Sequence, residues 1–272
     1  MYKMIVFDID GTLLKYKATS FAFDNNVLET FRLLKEKGYV VVLASGRDLV
    51  SIGDLHLSEN VDYFIGANGS FIYDTKAKKN IWSTKLSLSD FTDYKEQVLD
   101  KHIEEINNVI LSDDKNVFVY SYEQIREHWF WKDFYKKFKP FNLHTTEMNL
   151  DEFHLITINC LNKKLIDISQ NYFDNNNSTL SVQAFWNNGF FVSEKDLNKA
   201  ETMERLAHIL NFTVDQVIAF GDGENDIQMI QRAGMGIAMA NGIDQLKNIA
   251  NDIAKDVEEN GTFHKLKEMG II

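Results

Sequence analysis

The residues that decide the fold lie near the start of the chain, in the stretch Met4-Ile5-Val6-Phe7-Asp8-Ile9-Asp10-Gly11-Thr12-Leu13. Its apolar run, Met4 to Phe7, is too short and too rich in β-branched residues for a helix, so it predicts a buried strand. Buried strands of this kind belong to parallel sheets that are covered on both faces. In open sheets of that kind, ligands bind outside the carboxyl ends of the strands. The acidic residues after the run therefore stand where a site is expected.

Asp8 and Asp10 are separated by a single residue. In an extended chain, residues i and i+2 point the same way, so the two carboxylates would meet at one place and repel each other. A hard divalent cation such as Mg2+, which prefers oxygen ligands, would relieve that repulsion. For an isolated Asp-x-Asp-Gly, the alternative is a pair of solvated aspartates in a turn.

The composition is that of an ordinary globular protein of 272 residues, 44% hydrophobic and 25% charged, with a net charge of -11. An acidic chain argues against nucleic acid or an anionic membrane as the main partner, because both attract basic patches. The single cysteine, Cys160, lies in an apolar run and is expected to be packed in a strand. We see no signal peptide and no apolar run of the roughly 20 residues that a membrane span needs, so we expect a cytoplasmic protein.

The first strand is followed by a predicted βαβ unit. Apolar residues recur at helical spacing from Asn25 to Lys37, and Gly38 is typical of a helix end. The run Tyr39–Ala44 then predicts a second buried strand, which ends in Ser45-Gly46-Arg47. Two strands joined by one helix should be parallel, with a right-handed crossover.

A third strand and a hairpin complete the first part of the chain. The third strand is predicted at Tyr63–Ile65, and Gly66-Ala67-Asn68-Gly69 follows it. Residues Ser70 to Trp82 then predict a hairpin with a polar turn.

The middle of the chain changes character, because it lacks strands that end in acidic turns. Its expected strands are Val109–Leu111, Val117–Tyr120, Phe153–Cys160 and Thr179–Phe185. We interpret residues 83–189 as an α+β domain inserted into a first domain made of residues 1–82 and 190–272. An aromatic cluster, Trp129–Tyr135, is expected to pack inside the insertion or against the first domain, with stacking on a substrate as the alternative.

The first domain resumes with an amphipathic helix, predicted from Lys199 to Leu210. The run Val217–Phe220 predicts another buried strand, and it ends in Gly221-Asp222-Gly223-Glu224-Asn225-Asp226. The chain as a whole therefore predicts an α/β fold, with a Rossmann-like parallel-sheet core and an inserted α+β domain.

Four segments converge on one edge of this predicted sheet. They are Asp-x-Asp-Gly-Thr from Asp8, Ser-Gly-Arg from Ser45, the lysine at position 199, and Gly-Asp-x-x-Asn-Asp from Gly221. In this order they resemble the motifs of the haloacid dehalogenase superfamily of phosphotransferases. The closest resemblance within it is to the Cof-type phosphatases, which carry a large α/β cap between the second and third motifs. Asn68-Gly69 also resembles that subfamily, whereas the cap matches in position and size alone.

The resemblance implies a Mg2+-dependent phosphatase. Asp8 would be the nucleophile toward phosphorus, and Asp10 would protonate the leaving oxygen and then deprotonate the attacking water. The metal would be held by Asp8, Asp222 and the Asp10 carbonyl. Two further catalytic residues would bind the phosphate: Ser45 by a hydrogen bond, and Lys199 as a compact cation that balances its charge.

The resemblance also implies a set of residues that contact the substrate: Ser45, Gly46, Arg47, Asn68, Lys199 and Asn225. Asn225 and Asp226 would orient the metal shell and Lys199 from outside it. Arg47 would reach the phosphate or bridge to the cap, with a surface ion pair as the alternative. Asn68 would touch the substrate, or it would serve only the backbone of its turn.

One position departs from the pattern. The motif lysine is usually followed by glycine, and here Lys199 is followed by Ala200. Alanine is the better helix former, so the change should be tolerated. Lys195 is the competing candidate for the motif lysine.

The expected substrate is a small phosphorylated metabolite, a sugar phosphate or similar, cleaved through an aspartyl-phosphate by a monomer or weak homo-oligomer. One alternative is a sugar-phosphate mutase or phosphotransferase, although those usually carry their cap between the first and second motifs. Another is a receiver-like phosphoacceptor domain, although its phosphorylated aspartate follows the third strand. A binding protein with an inactive site is disfavoured, because no expected catalytic residue is missing.

Overall fold

The computed structural model describes residues 1–17, 21–113, 117–121, 139–140, 153–186 and 188–272. The aromatic cluster Trp129–Tyr135 lies outside the described residues, so the prediction for its packing stays a prediction. The chain divides into two compact units. The first comprises Met1–Gly46, Ile52–Trp82 and Asn198–Ile272, and the second comprises Arg47–Ser51 and Ser83–Leu197.

The described residues form fourteen strands and seven α-helices. The strands are β1 (Met4–Phe7), β2 (Val40–Ala44), β3 (Tyr63–Gly66), β4 (Phe71–Asp74), β5 (Lys79–Ser83), β6 (Ile106–Ser112), β7 (Val117–Ser121), β8 (Lys139–Pro140), β9 (Leu155–Cys160), β10 (Leu180–Trp186), β11 (Gly189–Glu194), β12 (Val217–Gly221), β13 (Met235–Met239) and β14 (Asp252–Ala254). The helices are α1 (Asn25–Glu36), α2 (Leu88–Gln97), α3 (Lys164–Asn175), α4 (Lys199–Ile209), α5 (Ile227–Arg232), α6 (Asp244–Ile249) and α7 (Gly261–Glu268). None of these described helices is long and apolar enough to cross a membrane.

The first unit is built on an eight-stranded sheet with the order β14-β13-β12-β1-β2-β3-β4-β5. Strands β14 to β3 in that order pair in parallel, and β4 turns back antiparallel to β3. The strand β1 lies at the centre, where Val6 pairs with Ala219 on one side and Val42 on the other. This arrangement confirms the predicted α/β class with a parallel core sheet.

The sheet is covered on one face by α1, which the sequence predicted almost to the residue. Its first turn is capped by Asp24, whose carboxylate accepts hydrogen bonds from the backbone N–H groups of Asn26 and Val27. Its apolar side buries Phe31, whose ring lies 5.8 Å from that of Phe7. Complete burial of a side chain of this size contributes about 1.5–3 kcal/mol to folding.

The helix α4 begins at Lys199 because Asn198 caps it. The side chain of Asn198 accepts hydrogen bonds from the N–H groups of Ala200 and Glu201. Met203 and Leu206 are fully buried in the apolar cluster that also contains residues of β1, β2 and β12. Cap and packing together fix the first turn of α4 in place.

The second unit contains a six-stranded sheet with the order β10-β11-β9-β6-β7-β8. Its pairs are antiparallel except for β7 with β8. The helices α2 and α3 contribute Tyr94 and Phe173 to the hydrophobic core of this unit, and Cys160 lies buried there, as predicted for a packed strand residue. A separate sheet of this kind agrees with the α+β insertion.

The boundaries of the second unit differ from the predicted ones at two places. Residues Gly189–Glu194, assigned from sequence largely to the first domain, form β11 and pair with β9 and β10. The short segment Arg47–Ser51 also belongs to the second unit. Sequence spacing could not show the first, because the pattern of a short apolar strand does not say which sheet it joins. It could not show the second, because the hydrogen bond that attaches Arg47–Ser51 joins residues distant in sequence.

The segment Arg47–Ser51 is attached through the carboxylate of Asp48. Its Oδ1 accepts hydrogen bonds from the N–H groups of Val50 and Ser51, at 2.9 and 2.7 Å. Its Oδ2 accepts a hydrogen bond from Ser112 Oγ in β6, at 2.6 Å. Asp48 and Ser112 are both buried, so this contact is shielded from water.

Ser112→Ala is expected to lower the free energy of unfolding by about 1–3 kcal/mol, because the buried Asp48 Oδ2 loses its donor. Urea unfolding of the full chain measures the loss. The exposed Ser89, replaced by alanine, serves as the matched control and should change stability little. Equal stability of the two variants would contradict a structural role for the Asp48–Ser112 contact.

Candidate active site

The predicted site residues of the first unit gather at the carboxyl edge of its sheet. Asp8 directly follows β1, and its N–H donates to the Phe220 carbonyl of β12 at 2.9 Å. Ser45 directly follows β2, and its carbonyl accepts from the N–H of Asn68 at 3.0 Å. Asp222 directly follows β12. Parallel strands thus bring residues from three distant parts of the sequence to one edge.

Lys199 is the buried centre of the cluster. Its Nζ donates to Asp8 Oδ1 and to Asp226 Oδ1, each at 2.7 Å, and its side chain is 0% exposed. Burial lowers the pKa of Lys199, but the Asp226 and Asp8 carboxylates together outweigh it and raise that pKa above its ordinary value. The ammonium therefore keeps its charge. The competing candidate Lys195 is exposed and lies in the second unit.

The two carboxylate oxygens of Asp8 differ in their hydrogen bonding. Its Oδ1 accepts from Lys199, whereas its Oδ2 is buried and has no hydrogen-bond partner among the residues that the structure describes. Burial, followed by repulsion from Asp226, raises the pKa of Asp8 well above its ordinary value. A buried carboxylate oxygen without a donor is costly, so this position calls for a cation or another electrophilic partner.

Asp226 supports the other groups. Its Oδ1 accepts from Lys199, and its Oδ2 accepts from the N–H groups of Asp222 and Gly223, each at 3.0 Å. Both of its oxygens are thus occupied. The carboxylate ties α4 to the loop that follows β12, and it fixes the backbone of Asp222.

Asp222 is buried, and its two oxygens accept from hydroxyl groups of the first loop. Thr12 Oγ1 donates to Oδ1 at 3.3 Å, and the Tyr16 hydroxyl donates to Oδ2 at 2.8 Å. Burial and then the Asp226 carboxylate raise the pKa of Asp222 to about 6. Burial and the Asp222 carboxylate also raise the pKa of Tyr16, so its hydroxyl stays protonated and can donate.

The donor set fits a hard divalent cation. Ligand atoms of Asp8, Asp222 and Asp226 lie within 4.8 Å of one another, and all three residues are buried. When all three carboxylates are ionised, the Lys199 ammonium that contacts Asp8 and Asp226 balances one negative charge, and a divalent ion would balance the other two. Carboxylate oxygens are the ligands that Mg2+ prefers. The buried Oδ2 of Asp8 accepts no hydrogen bond from the part of the chain that the structure describes, so it is open to an electrophilic partner.

Asp10 differs from Asp8 in its surroundings. Asp8 is 5% exposed, whereas Asp10 is exposed. The chain leaves the extended form after Asp8, because the N–H groups of Thr12, Leu13 and Leu14 all donate to the Ile9 carbonyl. The carboxylate of Asp10 is not part of the acidic group that the described residues form, so its predicted contact with the metal would go through its carbonyl.

Asn68 and Asn225 form a hydrogen-bonded pair beside this cluster. Asn225 Nδ2 donates to Asn68 Oδ1 at 3.1 Å, and Asn68 is 1% exposed. Asn68 adopts a left-handed backbone with φ +56°, which asparagine tolerates better than most residues. Asn68 therefore serves its turn and holds Asn225 at the same time.

The remaining predicted substrate-binding residues are divided between the units. Ser45 is buried and Gly46 follows it, both in the first unit. Arg47 belongs to the second unit, where its Nη1 donates to the Ser51 carbonyl at 3.3 Å. Its role toward a phosphate stays a prediction.

Sequence reasoning missed two residues of this site. Tyr16 contacts Asp222, and Asn241 Nδ2 donates to the carbonyl of Gly11 at 2.8 Å. Neither lies within a motif. The only signal was the position of Tyr16, a few residues beyond Asp10 in a loop that the motif already placed at the sheet edge.

Comparisons with known proteins find matches over nearly the whole chain. Residues 5–266 match the family model of the haloacid dehalogenase-like hydrolases. The 5-amino-6-(5-phospho-D-ribitylamino)uracil phosphatase YitU of Bacillus subtilis (strain 168) is 27% identical over 277 residues, covering 97% of this chain and 96% of its own length. YcsE of the same organism, named for the same activity, is 29% identical over 266 residues, covering 97% and 94%.

Solved structures show the same fold. BT1666 from Bacteroides thetaiotaomicron, described among phosphatases of the haloalkanoate (HAD) enzyme superfamily, superposes with a TM-score of 0.84 at 22% identity. The match covers 100% of this chain and 96% of that one.

Proposed function

Because the chain belongs to the haloacid dehalogenase-like hydrolases and is a phosphatase, we propose that it hydrolyses small phosphorylated metabolites with Mg2+, through an aspartyl-phosphate on Asp8. The observation that carries this proposal is the state of the Asp8 carboxylate. Lys199 donates to its Oδ1, and its buried Oδ2 accepts no hydrogen bond from any described residue. A desolvated carboxylate oxygen beside a fixed cation is a competent nucleophile toward phosphorus.

In the proposed reaction, Asp8 Oδ2 bonds to the phosphorus as the bond from phosphorus to the leaving oxygen breaks. Asp10 gives its proton to that oxygen, so the leaving group departs as an alcohol. Asp10, now a carboxylate, takes a proton from water, and the water oxygen attacks the phosphoaspartyl phosphorus. Inorganic phosphate leaves and Asp8 is regenerated. The exposure of Asp10 agrees with exchange of protons with leaving group and water.

Mg2+ would be held by the carboxylates of Asp8 and Asp222 and by the Asp10 carbonyl. When bound, the ion cancels the repulsion between carboxylate and phosphate and stabilises the charge that develops in transfer. Asp226 would stay outside the metal shell, because its two oxygens already accept from Lys199 and from backbone N–H groups. It would orient both the lysine and Asp222.

The phosphate would be held by the polar groups that surround this centre. We propose that the buried Ser45 donates to a phosphate oxygen, that Gly46 lets the substrate approach and that Lys199 balances the charge. The side chain of Asn225, held by its hydrogen bond from Nδ2 to Asn68, would also contact the phosphate. Fixed donors of this kind reduce the reorganisation needed in the transition state.

The second unit is proposed to act as the cap that determines specificity for the leaving group. It carries its own sheet and core, and it contains Arg47, the residue predicted to reach the phosphate or bridge to the cap. Two relatives are named for a phosphorylated ribitylamino-uracil, so substrates with a polyol or sugar leaving group are the first to test. A monomer or weak homo-oligomer in the cytoplasm, with no nucleic-acid partner, stays a prediction.

The test of the function is a panel of phosphate monoesters scored by released inorganic phosphate. The panel should hold sugar phosphates, 5-amino-6-(5-phospho-D-ribitylamino)uracil, flavin mononucleotide and pyridoxal phosphate. A sugar-phosphate mutase would instead move the phosphoryl group within the sugar without releasing phosphate. A receiver-like domain would hold a long-lived phosphoenzyme, whereas the proposed enzyme turns it over.

Removal of divalent metal is expected to abolish turnover, because Asp8 and Asp222 are left with uncompensated charge. Excess EDTA should bring phosphate release to background, and Mg2+ in excess of the chelator should restore it. Ca2+ should restore it poorly, because it prefers about 6–8 ligands at longer distances than octahedral Mg2+. Full activity in excess EDTA would contradict the metal-dependent mechanism.

A further inference from the structure

Tyr16 is a residue to which no motif assigns a role. Its side chain is 67% exposed, yet its hydroxyl donates to Oδ2 of the buried Asp222 at 2.8 Å. Because most of the ring is exposed, packing contributes little to its position and does not explain why the hydroxyl contacts the acidic cluster. The hydrogen bond to Asp222 is what defines its position.

The loop that carries Tyr16 is shaped around this contact. Gly11 adopts φ +87°, and a Cβ placed on it would lie 2.2 Å from the Tyr16 hydroxyl and 2.3 Å from Asp222 Oδ2. Only glycine leaves room for the hydroxyl and the carboxylate to meet. Asn241 fixes the same loop, because its Nδ2 donates to the Gly11 carbonyl and its Oδ1 accepts from the Val257 N–H.

The two oxygens of Asp222 are held unequally. The hydrogen bond from Tyr16 to Oδ2 is short at 2.8 Å, whereas the one from Thr12 to Oδ1 is long at 3.3 Å. A hydroxyl hydrogen bond at 3.3 Å lies beyond the usual range and is weak. Oδ2 is therefore the engaged oxygen, and Oδ1 is the one that a cation can take.

We propose that Tyr16 is a positioning residue, whose hydroxyl holds Asp222 Oδ2 so that Oδ1 alone faces the divalent cation. The inference rests on the proposed Mg2+-dependent function and adds a determinant of metal choice to it. A carboxylate held by one oxygen gives a single ligand atom, as octahedral Mg2+ requires. Ca2+ accepts bidentate carboxylates, so freeing Oδ2 would favour it relative to Mg2+.

The test is Tyr16→Phe, which removes one oxygen atom and keeps the ring. Binding of Mg2+ and of Ca2+ to the metal-free full chain is measured by titration calorimetry, without substrate. The Kd for Mg2+ is expected to rise about 10–100-fold, the usual cost of losing a group that orients a metal ligand. The Kd for Ca2+ should rise less, so the preference for Mg2+ falls.

The matched control is Tyr39→Phe, because Tyr39 precedes β2 and lies at the opposite edge of the sheet from the site. It should leave both Kd values unchanged. A second readout separates positioning from damage to the fold: in Tyr16→Phe, saturating Mg2+ should restore kcat, whereas a distorted site would not be rescued.

Three results would overturn the inference. An unchanged Kd for Mg2+ in Tyr16→Phe means that the hydroxyl does not position Asp222, and a lower Kd means that it competes with the cation. Equal weakening of Mg2+ and Ca2+ removes the role in metal choice. Failure of the unaltered protein to bind Mg2+ would instead contradict the proposed function as well, so the two failures are distinguishable.

Discussion

Asp8→Asn is expected to abolish turnover and to leave the fold intact. Asparagine has the same shape but cannot form the phosphoenzyme, and loss of a catalytic nucleophile costs on the order of 10⁴-fold or more in kcat. Phosphate release from the best substrate of the panel measures the loss. Retention of more than about a hundredth of the activity, a barrier change below roughly 3 kcal/mol, would contradict the assignment.

The same variant should be at least as stable as the unaltered protein when metal is chelated. Burial and Asp226 hold the pKa of Asp8 above its unfolded value, so ionising Asp8 near neutral pH costs folding free energy. That cost is absent at a pH below the unfolded pKa and grows as pH rises toward the folded pKa. Asparagine removes it. Thermal unfolding at neutral pH in EDTA tests this, and a large loss of stability would mean that inactivity reflects unfolding.

Asp10→Asn is the matched control for the role of Asp8. It should slow the reaction about 10²–10⁴-fold, the usual contribution of proton transfer. In phosphoenzyme formation, measured by the release of the alcohol or phenol in a single turnover, the loss should be greatest for alkyl phosphates, whose leaving oxygens need the proton, and small for p-nitrophenyl phosphate, whose leaving group does not. Hydrolysis of the phosphoenzyme should slow alike for both substrates, because Asp10 also takes the proton of the attacking water. An equal loss for both substrates in phosphoenzyme formation would contradict the assignment of Asp10 as the acid.

The buried strands and the acidic residues at their carboxyl ends could be predicted, because both follow from local patterns. Buried β-branched runs such as Ile5-Val6 form the middle of a parallel sheet. Parallel strands must end at one edge, which places Asp8 and Asp222 together although they are far apart in sequence. The helix α4 could be predicted from its apolar spacing, and it begins at the predicted Lys199.

The finer features depend on tertiary contacts that leave no local signal. Strand β11 joins the second sheet because of its partners β9 and β10, not because of its own sequence. The burial difference between Asp8 and Asp10 accompanies a turn in which three N–H groups donate to the Ile9 carbonyl. Tyr16 reaches Asp222 across a stretch of about two hundred positions, and no pattern of spacing indicates such a contact.

Lys199→Met is expected to reduce both stability and activity strongly. Methionine keeps most of the side-chain volume but removes the only cation that the buried Asp8 and Asp226 contact through hydrogen bonds among the described residues. Removing one partner from a buried charge pair typically costs about 3–5 kcal/mol. Urea unfolding of the metal-free chain at neutral pH measures this loss, and phosphate release at saturating Mg2+ measures the loss of activity.

The pH dependence of this deficit identifies its electrostatic origin. Without the ammonium, the pKa of Asp8 in the folded state rises further above its unfolded value. The free-energy cost of ionising Asp8 in the folded state is then small below the unfolded pKa and grows as pH rises. The loss of unfolding free energy in Lys199→Met should therefore be smaller at about pH 5 than at neutral pH. Added Mg2+ should also recover part of the lost stability, because a bound cation offsets the same charges.

The exposed Lys195, replaced by methionine, is the matched control and should change stability by less than about 0.5 kcal/mol. If Lys199→Met behaves like that control, or if its deficit does not depend on pH, Lys199 does not balance the charge of this cluster.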